Sequence, residues 1–441
     1  MSVDADSNTR PHSRMFFGWW TVLVTGIVSG LGHGFYMYGL SVFFKDIAAE
    51  LSLSRALTAL ATGLGRLEGG LIAPLTGGLC DRVGPKWVSV TGLGIAVSGF
   101  ALMYFIRSEW LYFLAWGILA GFGINLGLTV TVDKTLTNWF VRKRGLALGV
   151  KFTLIGLGGV VLLPIVDRMA AAFGWRQTCL IWSAVMLSCI PLIILFMRQK
   201  RPEYYGLLPD GAAVDPASGS DHSNMLDVGV EYAASFEEDE FSFRQARSTS
   251  SYWLVALSYA IATVVFGGFT IHIIPFLTDA GIGRTAAGGM MSLMVFFTMP
   301  SRFFGGILAD RTGKDYLKFV LAGCFALQAL GMGSFLVFRS LPSIYILLVI
   351  HGITSGMMTP VVIIILGRYF GRKAFGTIFG TCMFFNAPIG LAAPVYTGWI
   401  YDTTGGYTAA IMLFAALAAA SSTVMCFVRA PRLPSISSGF R

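Results

Sequence analysis

Twelve apolar runs, each long enough to cross a bilayer as a helix, constrain this chain more than any other feature. A helix needs about 20 apolar residues to cross a bilayer, and in lipid the backbone must satisfy its own polar groups. Spans are expected near 16–44, 54–76, 87–106, 110–132, 145–167 and 176–197, then near 251–277, 284–307, 317–338, 341–366, 374–399 and 407–428. Only 12% of the residues are charged, about half the share of a soluble domain, so a chain this long cannot cover itself with a water-compatible surface. The first run is interrupted by Ser29–Gly39, rich in glycine, which leaves its end open.

The runs are grouped six, a polar stretch, then six. This divides the chain into a tail (1–15), a first six-helix bundle (16–197), a linker (198–250), a second bundle (251–428) and a second tail (429–441). The linker carries Pro, Gly, Ser and the acidic run Glu237-Glu238-Asp239-Glu240, a composition that suits a flexible tether. The N-terminus has no signal-peptide pattern, so the first run reads as a retained span. Six cysteines without a CxxC pair imply neither a disulfide framework nor a zinc site.

The net charge of +9 does not indicate a nucleic-acid partner, because the cations collect in the short loops of one side. Arg82 and Lys86, then Arg142, Lys143 and Arg144, then Arg198, Lys200 and Arg201 lie there. Arg311, Lys314 and Lys318, Arg368, Arg372 and Lys373, and the tail arginines Arg429 and Arg432 join them. The opposite loops hold only scattered cations such as Arg107, Arg168 and Arg339. The richer side is expected to be cytoplasmic, with both termini and the linker.

The second half repeats the first. Gly77-Gly-Leu-Cys-Asp-Arg-Val-Gly-Pro-Lys86 recurs as Gly305-Gly-Ile-Leu-Ala-Asp-Arg-Thr-Gly-Lys314. Asp81 and Asp310, Phe140 and Phe370, and Pro164 and Pro394 stand 229, 230 and 230 positions apart. An even number of spans per repeat gives both halves the same topology, related by an axis along the membrane normal, with a site between them near mid-membrane.

These residues resemble the major facilitator superfamily. Its signature, Gly-x-Leu-x-Asp-Arg-x-Gly-x-Lys/Arg, is matched by Gly77, Leu79, Asp81, Arg82, Gly84 and Lys86, and again by Gly306, Leu308, Asp310, Arg311, Gly313 and Lys314. The resemblance implies an all-α membrane fold of twelve helices in two bundles related by a pseudo-two-fold axis. Within the superfamily the chain looks like the monocarboxylate transporter and oxalate/formate antiporter branch. Trp139-Phe140-Val-Arg-Lys-Arg-Gly145 and Arg302, eight residues before the loop aspartate, carry that likeness. Arg302 matches the carboxylate-binding arginine of the branch. Dicarboxylate antiporters place a lysine about nine residues after a Phe-Gly-Thr element, and here Phe375-Gly376-Thr377 leads to Asn386. The missing positive charge favours a monoanion.

Arg302 sits inside its span, where a charge costs roughly 2.5–3.5 kcal/mol even on the lenient insertion scale, and its planar fork fits a carboxylate. The alternative is a salt bridge or a contact with backbone carbonyls. Glu68, the one carboxylate deep in an expected span, is the candidate proton site, against a structural ion pair. Arg66 shares its span, two residues away, so the two do not face each other. Lys151 either snorkels to the interface, holds a cavity charge or partners Glu68. Tyr36, Tyr38, Asn125 and Asn386 can orient a small polar solute or bond to a neighbouring helix. For His33, His272 and His351, interhelical hydrogen bonds are the leading expectation. Asp81 is expected to pair with Arg142 or Arg144, and Asp310 with Arg368 or Arg372, latching one face of the protein in one conformation.

No Walker loop, nucleophile-and-base set or metal spacing stands out, so neither an enzyme nor a cofactor is expected. The expected activity is secondary active transport of a small carboxylate by alternating access, as proton symport or anion exchange, by a monomer in a bacterial inner membrane. Efflux of amphiphilic or drug-like compounds, and a transport-inactive solute sensor, are the alternatives.

Overall fold

The computed structural model describes residues 15–53, 55–213, 222–236 and 239–432. Most of the N-terminal tail, the end of the C-terminal tail and the pair Glu237-Glu238 lie outside the described residues, as do the side chains of Tyr38 and Arg66.

Ten helical runs among the described residues are long and apolar enough to cross a membrane. One of them, Arg144–Phe196, holds 53 residues and turns at Gly174. There φ is 78°, a left-handed conformation that glycine adopts without strain. That run is therefore two spans, α5 (144–173) and α6 (175–196). The helix Arg55–Arg82 is less apolar because it carries Arg66 and Glu68, yet its 28 residues are long enough to span. With it the bundle has twelve members.

The first, α1, runs Phe17–Gly34, passes through a π-helical turn at Phe35–Gly39 and continues as Leu40–Glu50. The glycines expected to interrupt it instead let it pack closely: a Cβ on Gly30 would meet the Leu154 carbonyl oxygen of α5 at 2.7 Å. The others are α2 (Arg55–Arg82), α3 (Pro85–Leu102), α4 (Glu109–Trp139), α7 (Ser250–Asp279), α8 (Arg284–Arg311), α9 (Leu317–Phe338), α10 (Leu341–Phe370), α11 (Phe375–Thr404) and α12 (Thr408–Phe427). Phe35, Phe100, Trp116 and Trp182 form an aromatic core among the first six, with Phe35 stacked on Trp182 at 4.6 Å.

The α4 helix reaches Trp139, seven residues past the expected end of its span. It bends at Thr129 (φ −97°, ψ −98°), and the Thr131 hydroxyl donates to the Leu126 carbonyl across the bend at 2.6 Å. Asp133 and Lys134 therefore belong to a spanning helix, and Glu68 is not the only carboxylate within one.

The first six and last six helices meet along two seams. The α2 helix lies against α11, and α5 against α8. Both seams are built where glycine allows backbones to touch: a Cβ on Gly77 would strike the Gly376 carbonyl, and one on Gly145 the Gly306 carbonyl. Both contacts lie at the end of the bundle that carries the basic loops.

The linker is not the loose tether its composition suggests. Its described part forms the short turn Pro202–Tyr205 and the helices His222–Ala234 and Phe243–Arg247. It docks on the basic end, where the Phe241 N–H donates to the Phe370 carbonyl at 3.0 Å. Lys314 pairs with Asp239 at 3.2 Å, and Arg201 pairs with Glu240.

Candidate functional site

A cavity of about 670 Å³ opens between the two groups of six, lined by α2, α4, α7 and α11. Its wall is mostly apolar, with Leu67, Val130, Phe266, Met383 and Val395 among the lining residues. The polar groups are Thr76, Asn125, Thr129, Tyr259, Thr263 and Asn386. No charged side chain lines it among the described residues.

Asn125 and Asn386, expected as solute contacts, both reach this wall, from opposite halves of the repeat. Each amide is also tied to helix backbone. Asn125 Nδ2 donates to the carbonyls of Gly65 (3.0 Å) and Gly121 (2.9 Å). Asn386 Nδ2 donates to the Cys382 carbonyl (2.7 Å), and its Oδ1 accepts from the Thr263 hydroxyl (3.0 Å). The amides are thus held rigidly at the cavity edge.

The cavity ends where the seams tighten. From Gly70 toward the basic end, α2 and α11 touch at Gly70 with Ala387, at Ala73 with Gly380, and at Gly77 with Gly376. Beyond them the two repeated aspartates close the bundle. Each stands at the last turn of one helix and accepts backbone N–H groups from the first turn of a helix in the other half. Asp81 accepts from Gly376 N (3.2 Å), Thr377 N (2.8 Å) and the Thr377 hydroxyl (2.7 Å). Asp310 accepts from Gly145 N (2.7 Å) and Leu146 N (2.8 Å). A carboxylate at a helix N-terminus satisfies orphan donors and opposes the helix dipole.

This corrects the partner expected for Asp81. The cation on Asp81 is Lys134, at 2.9 Å, whereas the Arg142 side chain is exposed. Arg144 donates to the Phe140 and Thr137 carbonyls and lies against Gly367. Arg368 donates to the main-chain carbonyls of Asp310 and Thr312, and its charge, with that of Arg144, acts on the Asp310 carboxylate as expected for Arg368. Arg372 pairs with Glu203 of the linker at 2.8 Å and donates to the carbonyls of Asn138 and Gly229. Both members of the Glu203–Arg372 pair are fully buried, at 1% and 0% side-chain exposure. Of the remaining signature residues, Arg82 and Arg311 are exposed. Gly84 takes a positive φ of 92° at its loop, whereas Gly313 does not.

A second linker group, Asp210, accepts three consecutive backbone N–H groups, from Val141, Arg142 and Lys143, at 2.8–3.1 Å. Tyr232 donates to the same carboxylate at 3.2 Å. Burial, with the neighbouring Asp210 charge, raises the Tyr232 phenol above its ordinary range, so it stays a donor.

Lys151 neither snorkels nor pairs with Glu68. It is buried against Asp133 at 2.7 Å, both at 2% exposure. Asp133 follows Thr129 of the cavity wall by one helical turn. Sequence reasoning missed Asp133 and Lys134; the Asp-Lys dipeptide beside a Trp-Phe helix end was the available signal.

Arg302 does not line the cavity. It is half-buried on the α5–α8 seam, with Nη1 3.5 Å from the Phe152 carbonyl. Glu68 is not among the lining residues either, and its Oε2 is buried without a hydrogen-bond partner. Tyr36 is buried and stacked on Trp116 at 5.5 Å, and it is not among the lining residues; its hydroxyl lies against Gly65 and Gly121, the two residues whose carbonyls hold Asn125. His33 bonds Ser29 and Thr129, His272 bonds Tyr407 and the Pro394 carbonyl, and His351 bonds Thr270. Each of those contacts except the one to Ser29 crosses between helices, as expected.

The family model "Major Facilitator Superfamily" matches residues 22–340. Monocarboxylate transporter 11 of Homo sapiens is 27% identical over 431 residues, covering 95% of this chain and 84% of that protein. Monocarboxylate transporter 13 of Rattus norvegicus is 24% identical over 409 residues, covering 93% and 88%. The uncharacterized transporter YycB of Bacillus subtilis is 22% identical, covering 92% of each. Among solved structures, the human organic anion transporter MFSD10 (TETRAN) aligns with a TM-score of 0.67 at 14% identity, covering 92% of this chain and 99% of that one. The transporter FucP in the outward conformation aligns at 0.66 and 14%, covering 92% and 98%. The chain is a multi-pass membrane protein of the Major Facilitator Superfamily, a secondary transporter related to the monocarboxylate transporters and not an enzyme.

Proposed function

We propose that this protein carries a small organic anion, a monocarboxylate, by alternating access. The observation that carries the reading is the cavity between the halves, closed at one end by contacts that all cross between them. Rocking of one half against the other about such a site exposes it to each side in turn. The basic end is cytoplasmic by the positive-inside rule, with both termini and the linker. The conformation described is then sealed inside and faces outward.

Arg302 supplies the positive charge. An intramembrane guanidinium faces the bundle interior or a wet cavity and marks a substrate path by default, and this one stands on the seam where the halves separate. Arg66 adds to the field, and Asn125, Asn386, Tyr36 and Tyr38 orient the solute. Glu68, with a carboxylate oxygen buried and unbonded, takes the proton in a symport cycle; exchange of one anion for another needs no such site. The names of the relatives support an anionic substrate.

The test is uptake of labelled lactate, pyruvate, formate and oxalate into proteoliposomes, with and without a pH gradient. Monocarboxylate uptake that falls at least tenfold in Arg302→Ala supports the assignment, and unchanged uptake refutes it. The wall, largely apolar and without a charged side chain among the described residues, favours a second reading, efflux of amphiphilic compounds. It predicts transport of neutral amphiphiles that Arg302→Ala leaves intact.

A further inference from the structure

The cavity is much larger than a three-carbon acid requires. Such an acid displaces about four waters, roughly 120 Å³ at 30 Å³ each, against about 670 Å³ available. That volume falls in the range of pockets for drug-sized ligands.

The excess space has a direction. The α2–α11 seam is continuous from Gly77 and Gly376 up to Gly70 and Ala387. Past that point a second apolar groove of about 550 Å³ lies along α11, with Leu67 of α2 at its edge. The groove shares Leu67, Leu391 and Val395 with the cavity and adds Pro388, Ala392, Tyr396 and Trp399. No polar surface is exposed in it. Val395 and Trp399 are more than half exposed, at 70% and 56%, so nothing among the described residues covers it. Tyr396 and Trp399 stack at 5.5 Å at its far end. From Leu391 to Trp399 it runs roughly 12 Å at 1.5 Å per residue, room for a tail of about eight carbons.

Building on the anion reading above, we propose that the site takes an amphipathic monocarboxylate. Its head lies in the cavity between Asn125 and Asn386, and its hydrocarbon tail passes between α2 and α11 into the groove. Short acids use the cavity alone. Medium-chain acids gain from the groove, and their tails reach it from the lipid side.

The test is direct binding of labelled butanoate, hexanoate and octanoate, with octan-1-ol as the neutral control, to the purified full chain in nanodiscs. Binding is referred to the free aqueous concentration. Each methylene buried in the groove should tighten binding about fourfold, from roughly 0.8 kcal/mol per CH₂. Octan-1-ol should bind at least tenfold more weakly than octanoate. Ala392→Trp fills the groove without touching the cavity. It should erase the gain beyond butanoate while butanoate binding stays within twofold. Equal affinities across the acids would overturn the proposal, as expected if a lipid acyl chain holds the groove. A chain-length gain undiminished in Ala392→Trp would overturn it as well, as partition into the bilayer. Octan-1-ol binding as tightly as octanoate, with the gain still erased by Ala392→Trp, would sink the anion reading and leave the groove assigned to the tail.

Discussion

Replacing Asp310 by Asn should open the basic end of the transporter. The carboxylate accepts the N–H groups of Gly145 and Leu146 at 2.7 and 2.8 Å, across the boundary between the halves. A hydrogen bond to a charged group contributes about 1.5–3 kcal/mol, against about 1 for a neutral one. Asparagine offers one acceptor oxygen and turns an NH₂ toward the other N–H, so one bond is lost and the other weakens. The opposed helix dipole adds about 0.5 kcal/mol at this partly buried place. At the lower end of these ranges the sum is about 2.5 kcal/mol. These bonds exist only while α5 and α8 touch, so the loss falls on the conformational equilibrium and shifts it about 70-fold toward the opened state. Electron–electron distance measurements between spin labels at Lys143 and Tyr316 read this directly. Both residues are exposed at the basic end, one in each half. Asp310→Asn should raise the long-distance population. A distribution identical to that of the parent would refute the idea that the aspartate latches the halves.

Three further outcomes follow from the same geometry. Gly306→Val should also hold the basic end open, since its side chain must occupy the place of the Gly145 carbonyl; labelling of a cysteine placed at Thr381 from the basic side should accelerate, and an unchanged rate would contradict the close-seam account. Lys151→Met leaves Asp133 buried and alone, and loss of one partner of a buried pair costs about 3–5 kcal/mol; the melting temperature should fall, and the double variant with Asp133→Asn should recover most of the loss. Glu203→Gln should weaken the grip of the linker on Arg372 and hasten trypsin cleavage after Arg244 and Arg247, whereas protection equal to the parent would mean the pair does not hold the linker down.

Much of the architecture was legible because it repeats. The Asp81 and Asp310 segments share a motif and an offset, so the end of the bundle where both would act could be named. Their partners could not, because a backbone N–H has no sequence signature. The cross-caps come from Gly145, Leu146, Gly376 and Thr377, chosen for position rather than side-chain chemistry, apart from the Thr377 hydroxyl. Asp133 and Lys134 were missed because apolar content falls off after Val132 while the helix continues to Trp139, carried by packing against α2, α5 and α11. Asn125 and Asn386 were anticipated as cavity residues and reach its wall. The place of Arg302 on a seam depends on the rotation of α8 about its axis, which residue spacing alone does not set. The linker misled because its acidic groups looked like solvated charge. Glu203 and Asp210 are anchors instead, one on a guanidinium and the other on three consecutive N–H groups.

The most direct test of the whole account is counterflow. Proteoliposomes loaded with unlabelled lactate and diluted into a trace of labelled lactate should accumulate label transiently above equilibrium, whether the natural cycle is symport or exchange. Arg302→Ala should lose that overshoot while keeping the folded protein's melting profile. No overshoot from the parent protein with any monocarboxylate, or a full overshoot from Arg302→Ala, would contradict a carrier built around an anion and an intramembrane guanidinium.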